Sequence, residues 1–136
     1  MATIIAHIRV KPGREAAFEQ TARTMFAASH GNEKALRRYE YWRSQEPGKY
    51  YCLLAFDDYV GFMIHQSSPH HEAAAAPLMD LIAELRLEWI DPVQGASPLP
   101  ATHARPLPPD AGPVMRRYAE MMPVATADWW DPLREA

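Results

Sequence analysis

The order in which strand-like and helix-like segments follow one another is the strongest constraint on how this chain folds. Thr3 to Val10 alternates apolar and polar side chains with a period of two, and Pro12-Gly13 ends the pattern as a turn would. From Arg14 to about His30, apolar residues recur every three or four positions, which is typical of a helix buried on one side. Gly31-Asn32 then resembles a helix C-cap, so the chain opens with a strand and a helix.

A hairpin and a short helix are predicted next. Leu36 to Ser44 and Tyr50 to Phe56 are rich in residues that favour strands, and Pro47-Gly48 lies between them as a turn. Asp57-Asp58 can cap a helix that covers Tyr59 to Gln66. The middle of the chain therefore adds two antiparallel strands and a helix.

A second helix and a last strand complete the pattern. Ser68 is a suitable N-cap for a helix that begins at Pro69. Pro77 lies inside this helix, and we expect it to bend the helix or to begin another turn. Glu84 to Asp91 alternates again with a period of two, and Pro92 ends that strand.

The resulting order, β-α-β-β-α-α-β, predicts an α+β domain of the ferredoxin-like type. A four-stranded antiparallel sheet with right-handed crossovers satisfies this order, with its helices on one face and the other face uncovered. Whichever side of the central strands faces away from the helices, its row includes Tyr, Trp, Leu or Phe. We therefore expect two copies to pair through this face, and the alternative is that residues 94–136 fold back over it.

Three regions are predicted along the chain: a ferredoxin-like domain over 1–93, a proline-rich linker over 94–112, and a C-terminal arm over 113–136. The prolines of the linker favour an extended backbone. The arm can form a short amphipathic helix from Pro113 to Met122. Because Trp129 and Trp130 are adjacent in the arm, we expect it to dock, and to do so across the dimer.

Composition excludes several classes of partner. The net charge is −3 and no basic stripe combines with aromatic residues, so no nucleic acid is expected. No leader and no apolar run long enough to span a membrane is recognised, which predicts a cytoplasmic protein without a membrane partner. The single cysteine, Cys52, excludes an internal disulfide, and its apolar neighbours predict a buried, inert thiol.

Three stretches of the chain form a recognisable set. They are a first strand followed by Lys-Pro-Gly, an aromatic strand before a Pro-Gly turn, and a short helix that ends in His and leads to Ser-Pro-His. They lie at Ile5 to Gly13, Tyr39 to Ser44 and His65 to His70, and together they resemble the antibiotic biosynthesis monooxygenase family. The likeness extends from Thr3 to Val93, and the arm lies outside it.

This resemblance implies a homodimer, a dimeric α/β barrel, with an apolar pocket between the sheet and the helices of each subunit. It also implies a cofactor-independent monooxygenase that uses dioxygen on a quinol, a phenol or a polyketide-derived aromatic. Similar folds host other chemistries, so a cofactor-free acid–base cyclase, lyase or isomerase is the alternative. A non-catalytic dimeric binding module is the second alternative.

Four histidines are candidates for acid–base catalysis, because imidazole titrates near neutral pH and can accept a phenol proton. They are His7 on the first strand, His65 at the end of the short helix, and His70 and His71 at the start of the next helix. His7 can also be a satisfied core residue, and His65 can simply cap its helix. Because successive helical residues point about 100 degrees apart, we expect one of His70 and His71 to be solvated and favour His70 as catalytic.

The strands offer aromatic side chains that could bind a flat substrate by stacking. The candidates are Tyr39, Tyr41, Trp42, Tyr51 and Phe56. The same residues could instead form the dimer core, and alternation along the strands lets only some of them face a pocket. Many members of the family carry Trp at the position of Phe56.

No cofactor is expected. Flavin and nicotinamide sites need a glycine-rich turn between strand and helix, which the sequence lacks. Heme-degrading relatives carry a histidine where this chain has Ala73 to Ala76. No metal-binding spacing such as HxH or HExxH joins His7, His65 and His70, so no metal site is predicted.

Overall fold

The computed structural model describes residues 1–134, and the last two residues of the predicted arm lie outside the described residues. The elements follow the predicted order through the first four strands, and two short helices come after them. They are β1 (Ala2–Val10), α1 (Glu15–Asn32), β2 (Leu36–Arg43), β3 (Lys49–Phe56), α2 (Tyr59–Gln66), α3 (Pro69–Leu81), β4 (Ile82–Trp89), α4 (Pro113–Met121) and α5 (Asp131–Arg134). No helix among the described residues is long and apolar enough to cross a bilayer.

The four strands form one antiparallel sheet in the order β2-β3-β1-β4. In the centre of the sheet, Ala6 of β1 pairs with Cys52 of β3 on one side and with Leu87 of β4 on the other. This register leaves β2 and β4 as the edge strands. The α+β ferredoxin-like fold predicted from the periodicity is therefore confirmed.

Alternation along β1 shows which face of the sheet the helices cover. Ile4, Ala6, Ile8 and Val10 are buried beneath the helices, whereas the alternating residue His7 is only partly buried on the opposite face. We call that opposite side the open face. It includes Ile5, Tyr51, Leu53 and Trp42 as well as charged side chains of β4.

The core lies between the sheet and α1, α2 and α3. Phe18 of α1, Phe56 of β3, and Phe62 and Met63 of α2 are fully buried there. Cys52 is also buried in the sheet, and burial raises the pKa of its thiol well above its ordinary value. An apolar core of this kind fixes the spacing between α1 and the edge strand β2.

Two helix boundaries differ from the sequence prediction. Gly31-Asn32 does not cap α1, because the helix runs through Asn32 and the backbone N–H of Glu33 donates to the carbonyl of Ser29. Pro77 does not begin a second helix, since α3 continues through it to Leu81. A proline inside a helix removes one backbone donor, and the packing of α3 on α1 tolerates that loss.

The proline-rich segment and the arm fold onto their own chain. Residues 90–112 contain no helix or strand, yet Thr102 is fully buried and its hydroxyl donates to the carbonyl of Ile90 at 2.7 Å. Helix α4 packs against α2 of the same chain, where Tyr59 donates to the carbonyl of Met122 at 2.9 Å. The expected docking across a dimer is therefore replaced by docking within the chain, on the helix side rather than on the open face.

Candidate functional site

A groove of about 470 Å³ separates α1 from the edge strand β2. Phe18, Ala22 and Phe26 line its α1 side, and Tyr41 and Trp42 line its β2 side. The two elements diverge here because the fully buried Phe18 ring packs beneath Tyr41 and Tyr50 at centroid distances of 5.9 and 4.7 Å. The groove is apolar and aromatic enough to hold a flat ring.

A pair of phenols lies at the base of this groove. The hydroxyl oxygens of Tyr41 and Tyr39 are 2.8 Å apart. Burial is the main reason that the pKa of each phenol is raised above its ordinary value, so both stay protonated at neutral pH. Tyr41 can therefore donate a hydrogen bond to a substrate oxygen but cannot serve as a base.

Glu19 of α1 is one of the charged residues that line the groove, together with Arg23, Glu40 and Arg43. Its carboxylate accepts a hydrogen bond from the Tyr50 hydroxyl at 2.9 Å and lies 3.4 Å from Arg43 Nε and 3.8 Å from Arg23 Nη1. Burial, followed by the bond to Glu19, raises the pKa of Tyr50 to about 12. Glu19 thus places a carboxylate in the groove lining with two guanidinium groups beside it.

Behind the groove, four polar side chains form what we call the α1 junction: Ser29 and Glu33 at the end of α1, His65 of α2 and His70 of α3. Glu33 Oε1 lies 3.0 Å from His65 Nδ1 and 2.6 Å from His70 Nε2. The Ser29 hydroxyl is 3.5 and 3.3 Å from the same two nitrogens. Two of the four predicted catalytic histidines therefore meet at a carboxylate.

The Glu33 carboxylate is buried, with 5% of its side chain exposed. Burial alone would raise its pKa, but the hydrogen bonds and charge interaction with His65, together with bonds from His70 and Ser29, lower it overall. Glu33 is therefore ionised at neutral pH. His65 is 1% exposed and does not bond a backbone carbonyl as a simple helix cap would, because its Nδ1 is engaged by Glu33.

The sequence predicted that one residue of the His70–His71 pair is solvated. In the structure both are partly buried, and His71 lies beside the α1 junction. Its ring packs edge-on against Tyr118 of α4 at 5.6 Å and against His65 at 5.2 Å. Burial, and then the neighbouring His65, lower the pKa of His71 to about 4. His71 is neutral at physiological pH and is covered by the arm.

His7 lies apart from the other three histidines. It is on the open face, where its Nε2 is 2.9 Å from Glu88 Oε2 and its ring is 5.7 Å from Tyr51. His7 is not among the residues that line the groove, and the helices do not cover it, so it does not share a pocket with His70. A catalytic role for His7 stays a prediction that would require a separate site on the open face.

The five predicted substrate-binding aromatics occupy three places. Tyr41 lines the groove, whereas Trp42, the next residue of β2, borders the groove from the open face and is 60% exposed. Tyr39 and Phe56 are buried, with their rings 5.0 and 5.3 Å from His65. Tyr51 lies on the open face, so only part of the predicted set can touch a ligand in the groove.

Sequence reasoning missed two carboxylates. Glu19 falls within the helical pattern of α1, and its spacing from Phe18 and Ala22 would have placed it near the apolar stripe. No sequence pattern indicated a role for Glu33, because it follows the helix and contacts His65 and His70 only through the tertiary fold.

Comparisons with known proteins bear on the family and the fold of the chain. Residues 1–77 match the model of the family described as antibiotic biosynthesis monooxygenase. A Caulobacter crescentus structure assigned to antibiotic biosynthesis monooxygenases is 25% identical, covers 68% of this chain and 90% of its own, and has a TM-score of 0.65. A Mycobacterium tuberculosis structure, 20% identical, covers 71% and 98% with a TM-score of 0.64. A comparison with curated proteins finds no match.

Proposed function

Since the chain belongs to the antibiotic biosynthesis monooxygenase family, we propose that it is a cofactor-independent monooxygenase acting on a quinol, a phenol or a polyketide-derived aromatic. The observation that carries the proposal is the apolar groove between α1 and β2, whose lining includes Glu19 and Tyr41. A flat aromatic ring bound there stacks near Tyr41 and Phe26. The family leaves the substrate open, and the apolar, aromatic lining of the groove supports a flat aromatic substrate.

The proposed chemistry begins with a proton transfer. Glu19 accepts the proton of the substrate hydroxyl, and Arg23 and Arg43 favour the phenolate that results. The electron-rich phenolate then reacts with dioxygen, and Tyr41 donates a hydrogen bond to the developing oxygen anion. One oxygen atom becomes a quinone carbonyl and the other leaves as water, so the phenol supplies all four electrons and no external reductant is needed.

Oxygen consumption tests this proposal. With an anthrone or a dihydroxynaphthalene as the probe, we expect the purified, chelator-treated protein to consume about one molecule of dioxygen for each quinone that forms. An oxygen electrode and quinone absorbance measure the two quantities in parallel. Turnover that continues at the same rate under nitrogen would contradict the proposal.

The alternative is a cofactor-free acid–base cyclase, lyase or isomerase. It is favoured by the same carboxylate and guanidinium groups, because Glu19, Arg23 and Arg43 can remove a proton and stabilise an enolate without oxygen. The anaerobic arm of the oxygen experiment separates the two functions. Product that forms without dioxygen and without a change in oxidation state supports the alternative.

We also propose that two copies pair through the open face. Ile5, Tyr51 and Leu53 of the central strands lie there partly buried, and no helix of the described chain covers them. The face also carries charged partners such as His7 and Glu88, which can form cross-subunit contacts. Burying this apolar row is a common reason for sheets to associate.

Leu53→Glu is expected to convert the dimer into a monomer, because it places a charge in the apolar row of the open face. Light scattering after size exclusion should give about twice 15.4 kDa for the unchanged chain and 15.4 kDa for the variant. Ala16→Glu, on the exposed side of α1, is the control and should remain dimeric. An unchanged chain that is monomeric would refute the pairing.

A further inference from the structure

The α1 junction contains a buried negative charge without a fixed positive partner. In the described part of the chain, the Glu33 carboxylate has ion-pair contacts with His65 and His70 and none with a lysine or arginine. A buried carboxylate is stabilised by hydrogen bonds and by positive charge nearby, because burial disfavours its charged form.

The donor set of this junction suits a transition-metal ion. Nδ1 of His65, Nε2 of His70 and a carboxylate oxygen of Glu33 lie within 4.8 Å of one another. Two imidazoles and one carboxylate form a donor set that binds Zn²⁺ and Fe²⁺ in proteins, with bonds of about 2.0–2.2 Å. Tetrahedral bonds of that length put ligand atoms roughly 3.3 Å apart. The observed separations of 3.0 and 2.6 Å between Glu33 Oε1 and the two nitrogens need only a small opening.

The local fold presents these ligands from three rigid segments. His65 ends α2 and His70 lies in the first turn of α3, with Ser68 capping α3 and also donating to the carbonyl of His65 at 2.7 Å. Glu33 follows the last residue of α1. The Ser29 hydroxyl, which is fully buried, lies on the same side and can serve as a fourth ligand or hold a water there.

We propose that Glu33, His65 and His70 bind one divalent transition-metal ion, which fastens the end of α1 to the α2–α3 junction. This inference goes beyond the proposed function, whose chemistry in the groove uses Glu19 and Tyr41. The ion would add a permanent positive charge beside the buried carboxylate, whose ion-pair partners in the described chain are histidines. It also revises the sequence prediction of no metal site, which considered His7 in place of Glu33.

Zinc binding to the untagged, full-length protein tests the proposal. After chelation and buffer exchange at pH 7.5, calorimetric titration is expected to show one Zn²⁺ bound per chain. The Tm should rise by about 8 °C when free zinc reaches about 100 times its Kd. Co²⁺ should give the visible absorption of a tetrahedral site with nitrogen and oxygen ligands, Fe²⁺ under nitrogen should bind more weakly than zinc, and Mg²⁺ should not bind.

A conservative variant separates metal binding from hydrogen bonding. His70→Gln keeps a side-chain N–H that can donate to Glu33, so its Tm in chelator should match the unchanged chain, while its zinc affinity falls at least about 100-fold. His103→Ala removes an exposed histidine elsewhere and should bind zinc normally. Absence of stoichiometric zinc binding, or equal binding by His70→Gln, would overturn the proposal. Metal-dependent oxygenation would leave the metal site standing and refute the cofactor independence proposed above.

Discussion

Glu19→Gln is expected to lower kcat for a phenolic substrate about 100-fold, because the amide cannot accept the substrate proton. The change keeps the size of the side chain and lets its oxygen still accept the hydrogen bond from Tyr50. We therefore expect KM to change by less than about threefold, since stacking in the groove does not depend on the carboxylate charge. Initial rates of quinone formation at pH 7.5, measured over a range of substrate concentrations, give both constants.

Glu15→Gln is the matched control for this variant. Glu15 lies one turn earlier on the same helix and is not among the residues that line the groove. The kcat of Glu15→Gln should equal that of the unchanged chain. If Glu19→Gln keeps full activity, or if both variants lose activity equally, the proton acceptor lies elsewhere.

The fold could be predicted from the sequence because the strands and helices of the domain have local sequence patterns that identify them. β1 alternates with a period of two, and α1 repeats every three to four residues, so both periods are legible without tertiary information. The ends of the helices were harder to predict. Gly31-Asn32 looked like a helix end, but the tertiary contacts at Ser29 and Glu33 extend α1 to Asn32.

The position of His7 shows what alternation can and cannot decide. The pattern places His7 and Arg9 on one side of β1 and Ile8 and Val10 on the other. The charged neighbour on the same side was a signal that His7 faces away from the core. The apolar residues adjacent to it in sequence, which belong to the opposite face, obscured that signal.

The α1 junction could not be predicted in full, for a different reason. His65 and His70 are close in sequence, but Glu33 is separated from them by two strands and a helix. No local periodicity indicates that its carboxylate turns toward α2. The same limit applies to the arm. The amphipathic pattern of its helix predicts that the arm docks, but not on which surface of the domain.

Tyr118 is the buried residue of α4 and joins the arm to α3. Its side chain is 8% exposed, its hydroxyl donates to the Glu72 carboxylate, and its ring packs against His71. Arg117 reinforces the contact, with Nη2 at 3.2 Å from Glu72. The arm lies beyond residue 77, where the family match ends, so this docking is an addition to the shared domain.

Tyr118→Ala is therefore expected to lower the free energy of unfolding by about 3 kcal/mol, through the loss of a buried ring and of a hydrogen bond to a carboxylate. Tyr118→Phe isolates the hydrogen bond and should cost about 1.5 kcal/mol. Urea unfolding followed by far-ultraviolet circular dichroism measures all of these values. Trp129→Ala is the control. Because that indole is 68% exposed, its removal should change the free energy of unfolding by less than about 0.5 kcal/mol. If Tyr118→Ala and Trp129→Ala have equal effects, α4 does not hold the arm on α2 and α3 in solution.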